Sequence, residues 1–293
     1  MRGALWMLLS AVTFTAMTTL VKFLGQDYPP TLQAFYRQAA GLFILAPWIL
    51  RDPKGAFATT RPGLLIFRSS AGSLALILQF YAFQMLPLAE ANALSFTRAL
   101  WLVPLAAVLL KEAVGPRRVG AAVVGFAGVL VMMGHGARGM AIGAPQLAML
   151  ASSLLFAFTV TGLKTLTRDH APSTLLYWSA SLGFLFTLPT AVMDWRWPHP
   201  TDLMLLCLMG VIATVNQVTY IKGMQAADAA VMAPIDYTRL VFAAAVGYFL
   251  FSEVPDTSTL LGAAIVVAST LYITWREHMI AARAVRGLTT AIP

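Results

Sequence analysis

The sequence predicts an all-α integral membrane protein, ten transmembrane helices arranged as two inverted five-helix repeats. Three observations predict it. The 293 residues are 59% hydrophobic and only 11% charged, with mean hydropathy +0.75. So few charges cannot cover a water-soluble surface around that much apolar area. The apolar residues fall in continuous runs of roughly 20 residues, enough to cross a hydrocarbon core of about 30 Å at about 1.5 Å per residue. They do not alternate, and inside lipid only helices or closed barrels satisfy their backbone groups, so the runs read as helices. Finally, the second half of the chain repeats the first at an offset of 141–142 residues, as with Arg98 and Arg239 (239 − 98 = 141).

Taken in order, the expected helices span 3–24, 31–50, 64–86, 88–110, 115–134, 143–164, 172–191, 202–224, 229–251 and 257–275. The first run continues to Val21, longer than a signal-peptide core, so no cleaved leader is expected. The second starts at Pro29-Pro30 and the seventh at Pro172; proline suits a first helical position, where the missing N–H has no partner anyway. The turn Arg51-Asp52-Pro53-Lys54-Gly55 separates the second and third runs, and Trp197-Pro198-His199-Pro200 precedes the eighth. The fourth run holds Arg98 near its centre and Pro104 six residues on. A basic turn, Lys111-Glu112-Ala113-Val114-Gly115-Pro116-Arg117-Arg118, joins it to a fifth run carrying Gly120, Gly125 and Gly128. No linker is long enough to separate soluble domains.

The repeat divides the chain into 1–141 and 142–293. Glu112 matches Glu253 at offset 141, and Gly120 matches Gly262 at 142. Phe14 meets Phe156, Lys22 meets Lys164, Asp27 meets Asp169, Pro30 meets Pro172, Gly41 meets Gly183 and Pro47 meets Pro189, all at 142. Five helices per unit is an odd number, so the second unit lies upside down. Inverted repeats are the recurring build of secondary transporters, with the substrate site near the midplane. Lys and Arg next to helix ends divide thirteen to three; only Lys22, Arg138 and Arg196 fall on the minority side. By the positive-inside rule both termini are expected in the cytoplasm. The same split accounts for the net charge of +8 without a nucleic-acid partner.

Pro104, Lys111-Glu112, Gly120, Gly125 and Gly128, with the later echo ending in Ser252-Glu253, resemble the EamA family of the drug/metabolite transporter superfamily. The resemblance covers the whole chain as two five-helix units. It implies a central cavity lined by the first, third, fourth, sixth, eighth and ninth helices, with the fifth and tenth peripheral. Members of that family move amino acids, aromatic ones included, nucleotide-like metabolites, vitamins or drugs. The two mid-membrane arginines are read from physics alone.

Arg98 lies about ten residues into its run, about 15 Å deep, and Arg239 lies at the same depth in the ninth. A charge there costs about 2.5–3.5 kcal/mol on insertion scales, so each faces a wet cavity or a partner. Asp236 precedes Arg239 by three residues and shares its helix face. The position matching Asp236 is Ser95, so Arg98 has no acid within a turn of its own helix. Two readings stand side by side: Asp236 pins both arginines, or an arginine meets a substrate carboxylate or phosphate, which its planar fork suits. Gln79 and Tyr81 on the third run, Trp101, Tyr237, and Asn216 and Tyr220 on the eighth complete the candidate binding set. Aromatic faces with a few convergent polar groups suit a small amphipathic solute, though Trp and Tyr also serve as packing and interface anchors. Arg37 and Arg68 lie near helix ends and are expected to snorkel outward. Glu90 is read as a solvated helix end rather than a proton carrier. Small pairs such as Ala121/Gly125 and Ala264/Ala268 are read as close-packing positions, a dimer surface being the other use.

Catalytic, cofactor and metal signals are not found. Gly134-His135-Gly136-Ala137-Arg138-Gly139 matches a dinucleotide-binding pattern in letters, but no strand precedes it. The four histidines have no metal-ligand spacing. Cys207, the one cysteine, is expected to be a small core residue. The expectation is therefore a multi-pass inner-membrane secondary transporter, not an enzyme, acting by alternating access. Its expected partners are the bilayer and a small-molecule substrate, with proton coupling left open, and its state a monomer or weak homodimer. An amino acid and export lead; import of a vitamin or nucleoside derivative is the alternative, and a membrane enzyme or a channel the rivals of another class.

Overall fold

The computed structural model describes residues 2–109, 115–133, 143–166, 170, 172–226 and 229–289. The basic turn with Glu112, the Gly134–Gly139 stretch and Asp169 lie outside them. The described residues form helices throughout. These are α1 (Arg2–Leu24), α2 (Pro30–Arg51), α3 (Pro53–Ala56), α4 (Pro62–Met85), α5 (Leu88–Ser95), α6 (Thr97–Leu109) and α7 (Pro116–Met133). There follow α8 (Ala144–Leu166), α9 (Pro172–Met193), α10 (Pro200–Ala226), α11 (Ala229–Asp236), α12 (Thr238–Phe251) and α13 (Thr257–Thr289). Six of them start on proline, where the lost N–H is harmless. The Asp256 carboxylate caps α13 by accepting from the Thr259 N–H at 2.8 Å, and Asp52 caps the short α3 through the Gly55 N–H at 3.0 Å.

Among the described residues, seven spans are long and apolar enough to cross a bilayer, including Gly3–Leu24, Pro62–Met85, Leu88–Leu109 and Pro200–Ala226. Three of the ten expected helices fall outside that set. The second, α2, carries Gln33, Arg37 and Gln38 in its body. The fifth, α7, carries Arg117 and Arg118 in its first turn. The ninth is interrupted, and its longer piece, α12, has 14 residues.

Two differences from the expected elements matter for the site. The fourth and ninth runs are not continuous helices. Each breaks at one residue, Phe96 (φ −69, ψ −16) and Tyr237 (φ −68, ψ −13), in nearly the same conformation. At both breaks the N–H three residues on donates to the break residue's carbonyl, Ala99 to Phe96 and Leu240 to Tyr237, each at 3.0 Å. Such a 3₁₀-like turn inside a longer helix tightens the winding and rotates the following segment. The tenth helix also runs on to Thr289 instead of ending near 275.

Helices pack pairwise: α1 along α10, α4 along α8, α7 along α13 and α2 along α9. The α7–α13 crossing depends on glycine. A Cβ on Gly128 would meet Ile265 at 2.7 Å and the Gly262 carbonyl at 3.0 Å, so the small residues there serve close approach. Buried Phe80, Phe83, Leu88, Leu94 and Leu206 belong to one core cluster, while Phe43, Val108, Val241 and Phe249 point outward. Cys207 is exposed, beside the outward-facing Met204, Leu208 and Val211, and not in the core as expected.

Candidate functional site

The two helix breaks meet. The rings of Phe96 and Tyr237 contact edge to face, centroids 4.3 Å apart. Two residues beyond each break stands an arginine, Arg98 after Phe96 and Arg239 after Tyr237. The two arginines then diverge in circumstance. Arg239 is 7% exposed. Its Nη1 stands 3.9 Å from the Asp236 carboxylate and its Nη2 donates to Ser95 Oγ at 3.3 Å. Its guanidinium also lies over two rings, 4.1 Å from the Phe96 centroid and 4.7 Å from that of Phe14, an arrangement that a desolvated cation favours by about 2 kcal/mol. Only Nε of Arg239 is left without a partner. Arg98 is half-buried and, among the described residues, makes no ion pair or hydrogen bond. It lies within electrostatic reach of Arg239 and Tyr237. Asp236 therefore pairs with one arginine, not both.

The other predicted residues are distributed unevenly. Tyr237 joins the group through its ring, while its hydroxyl donates to Thr270 Oγ1 of α13. Tyr220 lies within electrostatic reach of Arg239. Trp101 turns away: its ring packs edge to face on Phe126 of α7, centroids 4.6 Å apart, with its indole N–H buried and unpartnered. Asn216 is a brace, its Nδ2 donating to the Ser10 carbonyl at 2.8 Å and to Ser10 Oγ at 3.0 Å, tying α10 to α1. Gln79 and Tyr81 are half-buried on α4 with no hydrogen bond to the arginine group. Ser95, Phe14 and Phe96 were not picked out as site residues. The signal for Ser95 was its match to Asp236; nothing in the local sequence marks the two phenylalanines.

One end of the bundle is stitched by polar contacts. Lys22 forms an ion pair with Glu253, and its Nζ also donates to the Leu86 carbonyl at 2.6 Å. The other Glu253 oxygen accepts from the Leu88 N–H at 2.8 Å. One carboxylate thus ties α1, the Leu86–Leu88 turn and the end of α12. Ser252, at φ 55, makes the left-handed turn that swings Glu253 back over Gly247. Nearby the Tyr28 hydroxyl donates to Asp202 at 2.7 Å, Arg196 donates to the Asp27 carbonyl at 2.9 Å, and Gln146 donates to Glu90 at 3.1 Å. Glu90 is therefore held by α8 rather than simply solvated. At the opposite end Thr59 meets His170 at 2.8 Å.

Arg37 and Arg68 do not snorkel outward. Both line a partly open pocket among α2, α4, α8 and α9, where Arg68 donates to Ser179 Oγ and to the Thr159 carbonyl. Counting residues from a helix end gave their depth but not their direction, which the neighbouring helices decide.

The profile of the EamA-like transporter family matches residues 1–134 and 144–275. The S-adenosylmethionine uptake transporter of Rickettsia prowazekii (strain Madrid E) is 29% identical over 94% of this chain and 94% of its own length. The riboflavin transporter of Vibrio cholerae is 26% identical over 94% of each. The pseudopaline exporter of Pseudomonas aeruginosa (strain UCBPP-PA14) is 26% identical over 91% of this chain and 94% of its own. A solved crystal structure, 18% identical, superposes with a TM-score of 0.61 over 95% of this chain and 96% of that one, a likeness of fold.

Proposed function

The chain belongs to the EamA-like transporter family, and from that premise we propose that it is a carrier for an amino-acid-bearing metabolite larger than a free amino acid, taken up across a bacterial inner membrane. One observation carries the choice of substrate: Arg98 stands uncompensated beside an Arg239 that Asp236 and Ser95 already satisfy. Three intramembrane charges with one ion pair leave one positive charge over, and a substrate carboxylate is the group that completes the set. The rings of Phe96 and Tyr237 supply an apolar face beside it. S-adenosylmethionine, the substrate named for the Rickettsia relative, combines an amino-acid carboxylate with a nucleoside, which suits both features. Export of an amino acid is the second reading; the likeness to the pseudopaline exporter favours the direction.

The mechanism we infer is alternating access between two inverted five-helix units, 1–141 and 142–293. The matched breaks at Phe96 and Tyr237 support it, as does the matched pair of mid-helix arginines. The Lys22–Glu253 end is read as the periplasmic gate, in its closed form, with both termini cytoplasmic; the thirteen-to-three charge split supports that orientation. Substrate enters with its carboxylate toward Arg98, the empty-site water around that guanidinium is displaced, and the loss of the uncompensated charge favours closure.

Two measurements test these readings. In proteoliposomes, labelled S-adenosylmethionine is expected to enter saturably, to be competed by carboxylate-bearing analogues, and not by its methyl ester. Equal transport of the ester, or transport of neutral riboflavin alone, overturns the carboxylate reading. For orientation, cysteine at Gly55 or Gly115 is expected to be shielded from an impermeant thiol reagent in intact cells, and cysteine at Asp256 to react; the reverse pattern refutes it.

A further inference from the structure

The cavity holding Arg37 and Arg68 is distinct from the Arg98 group and does not depend on it. It measures about 150 Å³ and is a partly open pocket among α2, α4, α8 and α9. Its wall brings together two guanidinium groups, from α2 and α4, with Gln38, Ser69 and Ser179 among its polar groups and Phe156 among its apolar ones. No carboxylate lines it among the described residues. Two cations lining one pocket without a counter-ion among the described residues repel each other. Arg68 is fixed in place. Its Nη1 donates to Ser179 Oγ at 2.6 Å and its Nε donates to the Thr159 carbonyl at 3.2 Å, which aims the rest of the fork into the cavity. Arg37 has only its own neighbour, donating from Nη1 to Gln38 Oε1 at 3.3 Å. Its Nε is buried without a partner, and so is the hydroxyl of Ser69. Gln38 is seated against α9 because residue 183 is glycine, where any Cβ would collide with the Gln38 amide.

Every unmet group here is one that can donate. Buried donors are normally paired, and orphans converging on one space call for an acceptor. Neutral water supplies acceptor lone pairs but leaves the doubled positive charge. A planar or tetrahedral oxyanion supplies both lone pairs and charge, and the guanidinium fork matches its geometry. We infer that the Arg37–Arg68 cavity is a second anion-binding site, taking a carboxylate or phosphate group. Its size admits a small oxyanion or the anionic end of a longer molecule.

The test reads binding, not transport, so its failure leaves the carrier reading untouched. Purified, delipidated protein is titrated with sodium phosphate and, separately, sodium acetate against sodium chloride at equal ionic strength. Unfolding is followed by tryptophan fluorescence, to which Trp178, next to Ser179, contributes. An oxyanion is expected to raise the unfolding midpoint by several degrees over chloride. Arg37→Gln and Arg68→Gln are expected to weaken that response at least about tenfold, and Arg98→Gln to keep it. Gly72→Leu, which fills the cavity while leaving both guanidiniums, is expected to abolish it and serves if either arginine variant fails to fold; alanine at that position would make ordinary contact with Thr159. A parallel arm compares nanodiscs of phosphatidylglycerol and phosphatidylcholine. Stabilisation by phosphatidylglycerol alone, lost in both arginine variants, assigns the same anion site to a lipid phosphate. No stabilisation by any of the three anions, or an undiminished response in Arg37→Gln, Arg68→Gln and Gly72→Leu, overturns the inference and leaves a hydrated cavity.

Discussion

Arg98 and Arg239 stand two residues beyond matching helix breaks and differ in almost everything else. Arg239 is enclosed by Asp236, Ser95, Phe14 and Phe96. Arg98 is half-buried with none of these. The local cause is one substitution between equivalent positions: aspartate at 236, serine at 95. The wider cause is that Phe96 and Ser95, flanking the first break, serve the arginine of the second. Local symmetry in a chain thus need not give symmetric sites; a shared set of partners can satisfy only one of two equivalent charges. The teaching point is energetic. A satisfied intramembrane arginine holds helices together, whereas an unsatisfied one leaves binding energy for something else.

The largest expected effects set the two arginines against each other. Arg98→Gln is expected to cut transport of a carboxylate substrate by about 100-fold, the value of a lost charge-assisted bond of about 2–3 kcal/mol, with the unfolding midpoint unchanged. Arg239→Gln strands Asp236 and is expected to destabilise the fold by about 3 kcal/mol in denaturant titration. Destabilisation by both, with transport lost only in proportion to folded protein, would erase the distinction.

Removing the shared partner comes next. Phe96→Ala takes away one ring from Arg239 and the contact between the breaks, a loss of about 3 kcal/mol for a buried phenylalanine. Its cost is expected to shrink in an Arg239→Gln background, because the cation–π share is already gone; additive costs in that double-mutant cycle would show that Phe96 only packs.

A smaller change equalises the two sites. Ser95→Asp puts an acid three residues before Arg98, at the hydroxyl that Arg239 Nη2 now contacts, so the new carboxylate is shared between the two guanidiniums. It is expected to weaken carboxylate transport about tenfold, or about 1.4 kcal/mol, without loss of stability. Unaltered transport would mean that Arg98 is not the substrate's counter-ion.

The smallest effect belongs to the stitched end. Burial, with the hydrogen bond to Asp202, raises the Tyr28 phenol above its usual value of 10.0. A group whose pKa is raised on folding contributes stability that is complete below its unfolded value and lost as pH climbs through the folded one. Stability is therefore expected to fall above about pH 10, and Tyr28→Phe to flatten that fall while leaving neutral-pH stability within about 1 kcal/mol. An identical alkaline limb in the variant would remove Tyr28 from the account.

How much of this was legible beforehand differs by residue. The helix starts at Pro30 and Pro172 were readable because proline's missing N–H is a local property, whereas α10 starts at Pro200, two residues before the expected 202. The pairing of Asp236 with Arg239 was readable because three-residue spacing puts both on one face. The breaks at Phe96 and Tyr237 were not, since both residues sit comfortably in a helix and neither is proline or glycine. Trp101 and Asn216 looked equivalent to Tyr237 as polar aromatic or amide groups in membrane helices. One turned to Phe126 and the other to Ser10, contacts with helices that their own sequence neighbourhood does not mention.

The sequence by itself determined that the chain crosses a membrane as helices, where those helices start, and that equivalent charges recur 141–142 residues apart. Those outcomes follow from hydropathy, backbone satisfaction in lipid and spacing along one chain, all short-range or additive quantities. Tertiary structure alone decided which arginine Asp236 and the phenylalanines would enclose, which one would stay open, and that Arg37 and Arg68 would face each other instead of lipid. Each of those depends on the rotation of one helix against another. That rotation is set by close packing and by the meeting of two breaks far apart in sequence, and no local pattern encodes it.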